Sequence, residues 1–230
     1  MHSSPHDRPR DVVVAVSPHA DDAEYGAGGL LAAYADAGYD VLVALMTGAH
    51  PNRLREAEAA ARVLGARVVA DGSGCDGALE VTSARVRWLE RLTADAQVVL
   101  APHPDDTHQD HRAATAITRS SVRRSSVSLI WYRTPSSGPG FTPTAFHPVS
   151  PAHAHARATA IAMHRSQSHC AYLSSHHLAV KDAWHGWLSG HAAAEPFEVA
   201  RYQLTLPTAP PPRHEEVLRV PAAPMPSGQG

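Results

Sequence analysis

Residues 11–17 read D-V-V-V-A-V-S and residues 40–46 read D-V-L-V-A-L-M. Neither run alternates apolar with polar side chains, as a strand with one wet face must. Continuous, β-branched segments of this length fit strands covered on both faces, the situation in a parallel sheet between helices. Between them, L-L-A-A-Y-A-D-A supplies good helix formers and Gly38 stands where a helix would stop. The pattern is therefore β-α-β. It continues with a predicted helix over 53–64 closed by Gly65, a strand over 67–70, a helix over 83–93, a strand over 97–101, a helix over 112–120 and a strand over 127–132. Helices are expected over 157–169 and 176–188, and residues 197–206 alternate like an edge or returning strand. This order implies an α/β fold: a Rossmann-like three-layer sandwich with a mostly parallel sheet and right-handed crossovers. Ligands of such sheets bind beyond the carboxyl ends of the strands.

Length and composition narrow the class. The chain has 230 residues, 43% of them hydrophobic and 18% charged, enough for one domain with a sizeable core. We expect a flexible N-terminus over 1–10, a single domain over 11–206 and a Pro-rich tail over 207–230, whose composition buries too little surface to order itself. A formal charge of −2 argues against nucleic acid or an anionic membrane as partner. The partner expected is a small molecule; a homo-oligomer is left open. The two cysteines, Cys75 and Cys170, form no disulfide or metal spacing. With no run of about 18 apolar residues and no leader-like segment, a cytoplasmic location is the default. Residues 26–29, G-A-G-G, lack the spacing of a dinucleotide fingerprint.

Two polar clusters follow strands. P-H-A-D-D comes after the first, and P-H-P-D-D-T-H-Q-D-H (102–111) after the strand ending at Ala101. The sheet rule puts both at one edge and gathers His19, Asp21, Asp22, His103, Asp105, Asp106, His108, Asp110 and His111 at the mouth of one crevice. Imidazole with carboxylate suits zinc and other borderline divalent ions, and a catalytic site needs only three protein ligands. Adjacent carboxylates allow one to hold the ion while the other handles a proton. Spacing does not say which is which. Either cluster alone would fit a helix cap, with aspartates accepting amide hydrogen bonds. Two such clusters on the ligand-binding edge favour metal.

The residues also carry a resemblance. P-H-A-D-D-A-E is similar to the H-P-D-D-x-E signature of the LmbE-like (PIG-L-like) zinc-dependent N-deacetylases, and D-T-H-Q-D-H to their second signature. M-T-G at 46–48, the segment 53–65 and M-H-R-S-Q at 163–167 resemble further blocks of that family. Ala20 departs from the pattern, where the family has proline, and the histidine-rich segment 147–155 is a second departure. The resemblance implies that His19, Asp22 and His111 bind Zn2+, another divalent transition ion being left open. It implies that Asp21 is the general base, that His108 stabilises the oxyanion as an imidazolium, and that Asp110 orients and charges His108. Arg53 is read either as an ion pair with Glu56 on one helix face or as a contact to substrate oxygens. Thr47 is expected in the pocket wall, and His164 is a candidate substrate contact. His169 and Cys170 are a weak candidate for a second metal site, and the loop 135–151 for a cover over the substrate.

The function so implied is zinc-dependent amide hydrolysis removing an N-acetyl or other acyl group from an amino-sugar-containing small molecule, such as an N-acetylglucosamine derivative. High Ala, Arg and Pro usage suggests a GC-rich bacterium, where the family serves thiol-sugar metabolism and antibiotic biosynthesis. The alternatives are an amidase of a thiol-sugar conjugate and a non-catalytic metal- or glycan-binding protein of the same fold.

Overall fold

A computed structural model describes residues 11–48 and 50–204, so the expected flexible N-terminus and Pro-rich tail lie outside the described residues. The elements are β1 (Val12–Ser17), α1 (Asp22–Asp36), β2 (Asp40–Leu45), α2 (Pro51–Val63), β3 (Arg67–Ala70), α3 (Ser83–Leu92) and β4 (Ala96–Pro102). There follow α4 (Gln109–Ser121), β5 (Ser128–Tyr132), β6 (Ala145–Pro148), α5 (Pro151–Ala162), α6 (Ser175–Ser189) and β7 (Ala194–Arg201). They build one seven-stranded sheet in the order β3-β2-β1-β4-β5-β7-β6. The first five strands are parallel, and β7 and β6 close the far edge antiparallel.

The apolar runs behave as their pattern requires. Val13 and Ala15 of β1 pack with Ala23, Ala27 and Leu31 of α1, while Val14 and Val16 pack with Leu89 of α3 and Ile117 of α4. Both faces of the strand are buried, hence the missing alternation. The glycines of α1 are explained by packing: a Cβ at Gly26 would stand 2.2 Å from Cδ2 of Tyr132, and one at Gly28 would stand 2.5 Å from Cγ of Arg157. Arg157 in turn is buried between Asp182 and Glu195.

From β1 the chain runs outward to β2 and β3, then crosses to the other side for β4 and β5. The loops after β1 and β4 therefore face each other where the winding reverses, the crevice that open α/β sheets use for ligands.

Three expectations need correction. The predicted helix over 157–169 is α5 shifted: Ser150 caps it by accepting from the His153 amide, Pro151 starts it, and it ends at Ala162, with H-R-S-Q in a short 3-10 turn. The alanines of P-A-H-A-H-A extend the helix where histidines suggested a loop. The segment 147–155 belongs to β6 and α5, and His153 bonds Asp36 at the end of α1 remote from the crevice. Nor is 135–151 a free cover: it contains β6, and Asp105 accepts the Gly140 amide at 2.7 Å. No helix of the described residues is long and apolar enough to cross a membrane.

Candidate metal and active site

The loop after β1 is folded by its own polar groups. The Ser17 hydroxyl donates to the His19 carbonyl at 2.6 Å and accepts from the Ala23 amide at 3.1 Å. The His19 amide donates to Oδ2 of Asp22 at 2.8 Å. Between them Asp21 sits at φ 141°, the one non-glycine residue with positive φ among those described. Such backbone costs on the order of 1–3 kcal/mol and survives where the surroundings fix it. Asp21 occupies the N-cap position of α1, yet its carboxylate makes no capping bond. The capping alternative thus fails here, and the side chain is left facing the crevice.

The loop after β4 supplies His111 from the first turn of α4. Three atoms from the two loops now converge: Oδ2 of Asp22 lies 3.1 Å from Nδ1 of His19 and 3.3 Å from Nε2 of His111, and the two nitrogens are 3.3 Å apart. Three tetrahedral ligands about 2.0–2.1 Å from one ion stand roughly 3.3 Å from each other. The donor set therefore fits a small divalent ion, and its outward side opens on the cavity.

The outer contacts fit as well. His111 Nδ1 meets Asp106 Oδ2 at 3.0 Å, and His19 Nε2 meets Asp110 Oδ2 at 3.0 Å, so each imidazole can donate to a carboxylate while its other nitrogen is free for metal. Asp106 is itself fixed by Thr134 Oγ1 at 2.6 Å, Ser136 Oγ at 2.7 Å and the His108 amide at 2.8 Å. These bonds outweigh burial and hold its carboxyl down at about 2. Asp110, fully buried, accepts the amides of Gly77 and Leu79.

Electrostatically, the crevice favours positive charge. Burial opposes charge on His19, but Asp22 and Asp110 carry its pKa up to about 9; burial likewise opposes charge on His111, but Asp22 and Asp106 carry it to about 10. Asp22 is held far below the usual carboxylate range because the two imidazoles outweigh its burial. Asp21 moves the other way: burial and the neighbouring charge of Asp22 push it to about 7, against the pull of Arg53.

Asp21, Asp22, His19, His108, His111 and Arg53 share the wall of one cavity of about 460 Å³. Arg53 does more than either sequence reading foresaw. It lies 3.8 Å from Glu56, as the ion-pair reading has it, and also reaches Asp21 Oδ2 at 3.3 Å, the Ala20 carbonyl at 2.5 Å and Ser166 Oγ at 3.2 Å. Glu56 accepts from the amide and hydroxyl of Ser166, so the pair ties the H-R-S-Q turn to Asp21. Thr47 is buried in the wall of an adjoining 390 Å³ cavity and donates to the Pro18 carbonyl at 2.7 Å.

Other assignments change. The Asp110 carboxylate bonds His19 and makes no hydrogen bond to His108; the Asp110 amide donates to His108 Nδ1 at 3.2 Å, and the carboxylate acts on His108 through its charge, which favours the protonated ring. That bond makes Nδ1 an acceptor, while burial and the charges of His19 and His111 lower the pKa of His108. Both effects favour the neutral imidazole with its proton on Nε2 over the imidazolium that the resemblance implied. His164 is buried behind the crevice, 3.5 Å from Glu24 Oε1, and lines neither cavity. His103 turns to Glu198 and Asp105 to the loop at Gly140, so both leave the crevice. Asp76, Ser136, Gln167 and Tyr172 line it; Ser136 comes, with Pro135, from the start of the loop expected to cover the substrate, and no sequence reading named the other three for it. His169 and Cys170 belong to no metal-capable group among the described residues.

The fold and the motifs recur in known proteins. Residues 14–122 match the family model PIG-L, GlcNAc-PI de-N-acetylase. The conserved protein TT1542 of Thermus thermophilus is 25% identical, with a TM-score of 0.72 over 86% of this chain and 99% of that one. N,N'-diacetylchitobiose deacetylase of Pyrococcus horikoshii is 21% identical, with a TM-score of 0.70 over 82% and 83% of the chains. GalB, the 4-carboxy-2-hydroxymuconate hydratase of Pseudomonas putida, is 19% identical, with a TM-score of 0.73 over 86% and 100%. The matched segment runs from β1 through α4 and contains both loops that form the crevice; over these residues the chain matches the PIG-L (LmbE-like) family.

Proposed function

We propose that this protein is a zinc-dependent hydrolase that removes an N-acetyl or other acyl group from an amino-sugar-containing small molecule. The observation that carries the reading is the triangle of His19 Nδ1, Asp22 Oδ2 and His111 Nε2 opening on a cavity that also holds the Asp21 carboxylate. His19, Asp22 and His111 would hold the ion, which when bound polarises the amide carbonyl and acidifies the attacking water.

The remaining chemistry belongs to the chain. Asp21, with its pKa near neutrality, accepts the water proton as the new C–O bond forms. It returns that proton to the nitrogen as the C–N bond breaks, leaving a carboxylic acid and a free amine. Arg53 holds the Asp21 carboxylate in place through Oδ2. His108, its Nδ1 engaged by the helix amide, presents Nε2–H to the carbonyl oxygen as negative charge grows there. A merely metal- or glycan-binding protein would need neither group. A thiol-sugar amidase would use the same parts and stays the alternative within this chemistry. Bacterial secondary metabolism, as the resemblance and the composition imply, and a cytoplasmic location, the default for this sequence, complete the reading.

Since GalB carries this fold and is a hydratase, the test must read amine release. Purified protein is analysed for bound metal and assayed on N-acetylated glycosides. Asp21→Asn keeps the metal and lowers turnover about 10²- to 10⁴-fold. Unchanged turnover in that variant ends the mechanism.

A further inference from the structure

A second cavity of about 540 Å³ adjoins the catalytic one, and Pro135 and Tyr172 line both. Its character is opposite. The catalytic cavity is lined by Asp21, Asp22 and Asp76, whereas no carboxylate lines the second, which has Arg133, Lys181, His177 and His185. Asp182, beside Lys181 in sequence, is turned away to Arg157. The Lys181 ammonium donates to the Tyr25 carbonyl at 2.9 Å, and the exposed Arg133 guanidinium, 5.9 Å from the Phe141 ring, joins no ion pair of the described residues. Around these cations stand flat surfaces: Tyr25, Tyr172 and Trp184, the last 57% exposed and stacked on Trp187 at 5.4 Å. Unneutralised cations beside an exposed indole match an anion carried on a ring, one group for charge and one face for stacking.

We propose that this groove, between the end of β5 and α6, is a subsite for the part of the substrate beyond the amino sugar, an aryl group bearing a carboxylate or a phosphate. The shared wall at Pro135 and Tyr172 lets one molecule span both cavities, with its amide over the His19–Asp22–His111 triangle and its anion near Arg133. The inference rests on the deacylase reading only for what the subsite extends from.

The metal-loaded protein is assayed on N-acetylglucosamine and on its phenyl, 4-carboxyphenyl and 4-phosphophenyl β-glycosides. At least one anionic glycoside should exceed the phenyl one about 10-fold or more in kcat/KM, through KM, and the better anion identifies the natural group. Arg133→Gln should erase that preference and Trp184→Ala should weaken all three aryl glycosides, with N-acetylglucosamine turnover unchanged in both. Equal use of neutral and anionic glycosides overturns the subsite, as does an Arg133→Gln loss that extends equally to N-acetylglucosamine. A separate arm titrates indole fluorescence with the 4-carboxyphenyl and 4-phosphophenyl β-glucosaminides, which have no acyl group to lose. Arg133-dependent binding without any amine release sustains the subsite and removes the deacylase reading; no binding of either probe overturns the subsite.

Discussion

The two loops that meet at the candidate metal site are held in different ways. The loop after β1 is nearly self-sufficient: Ser17, His19 and Asp22 fix one another within six residues, and the tension of the arrangement falls on the Asp21 backbone. The loop after β4 is steadied from elsewhere, because Asp106 depends on Thr134 and Ser136 beyond β5. The two are tied together by Asp110, which starts α4 but braces His19 of the other loop. A local motif thus supplies the candidate ligands His19 and Asp22 and the candidate base Asp21, and a distributed one sets the orientation of His111.

The largest expected effect tests whether both loops hold one ion. At neutral pH the ion-free site keeps a proton on His19 and another on His111, with pKa values raised to about 9 and about 10. Raised values mean that metal competes with protons throughout the range below 9, so affinity rises with pH. Loading should expel two protons, one from each loop, and metal affinity should fall about 100-fold per pH unit, or about 10⁴-fold from pH 8 to pH 6. Calorimetry in two buffers of different ionisation enthalpy counts the protons. A count of one would mean that a single loop holds the ion, and a count of zero that neither imidazole does.

The next effect separates local from distributed support. Asp106→Ala leaves all three ligands in place but frees the His111 ring, and metal affinity should fall about 10- to 100-fold. Thr134→Val, one step further out, should cost less than Asp106→Ala in the same titration, because Ser136 still holds the carboxylate. If Thr134→Val cost more, the loop beyond β5 would act on the site by some route other than Asp106.

The same contrast explains what the sequence could disclose. Strands of Val and Ala buried on both faces, and polar clusters directly after them, are local patterns; β1, β2, β3 and the gathering of His19, Asp22 and His111 at one edge could be read from them, while the choice of these three as candidate ligands came from the family resemblance. The partners of those ligands are not local. The resemblance paired Asp110 with His108, while the turn into α4 sends the carboxylate across to bond His19 and leaves His108 a hydrogen bond from the Asp110 amide. Glu56 and Ser166 are 110 positions apart, and only the packed fold brings the H-R-S-Q turn to Arg53. His164 shares that turn, yet falls on its buried side against Glu24. The helix predicted from 157 begins six residues earlier, in P-A-H-A-H-A, because a proline at its first position and the alanines after it carry the helix into a segment read as loop.

The smallest effect isolates the backbone of the β1 loop. Asp21 holds φ 141°, which a glycine adopts without the steric cost of a Cβ, while Asp22 begins the α1 helix, where glycine is disfavoured. Asp21→Gly and Asp21→Ala both remove the carboxylate, so their difference reports backbone alone. The glycine variant should be the more stable by about 1–3 kcal/mol, or about 2–4 °C in Tm for each kcal/mol in a chain of this size. At Asp22 the same pair should reverse, with alanine ahead by about 1 kcal/mol. Thermal unfolding of the four metal-free variants checks both signs. A common sign at the two positions would mean that Asp21 carries no backbone tension, and that its place over the cavity is set by side-chain contacts such as Arg53 alone.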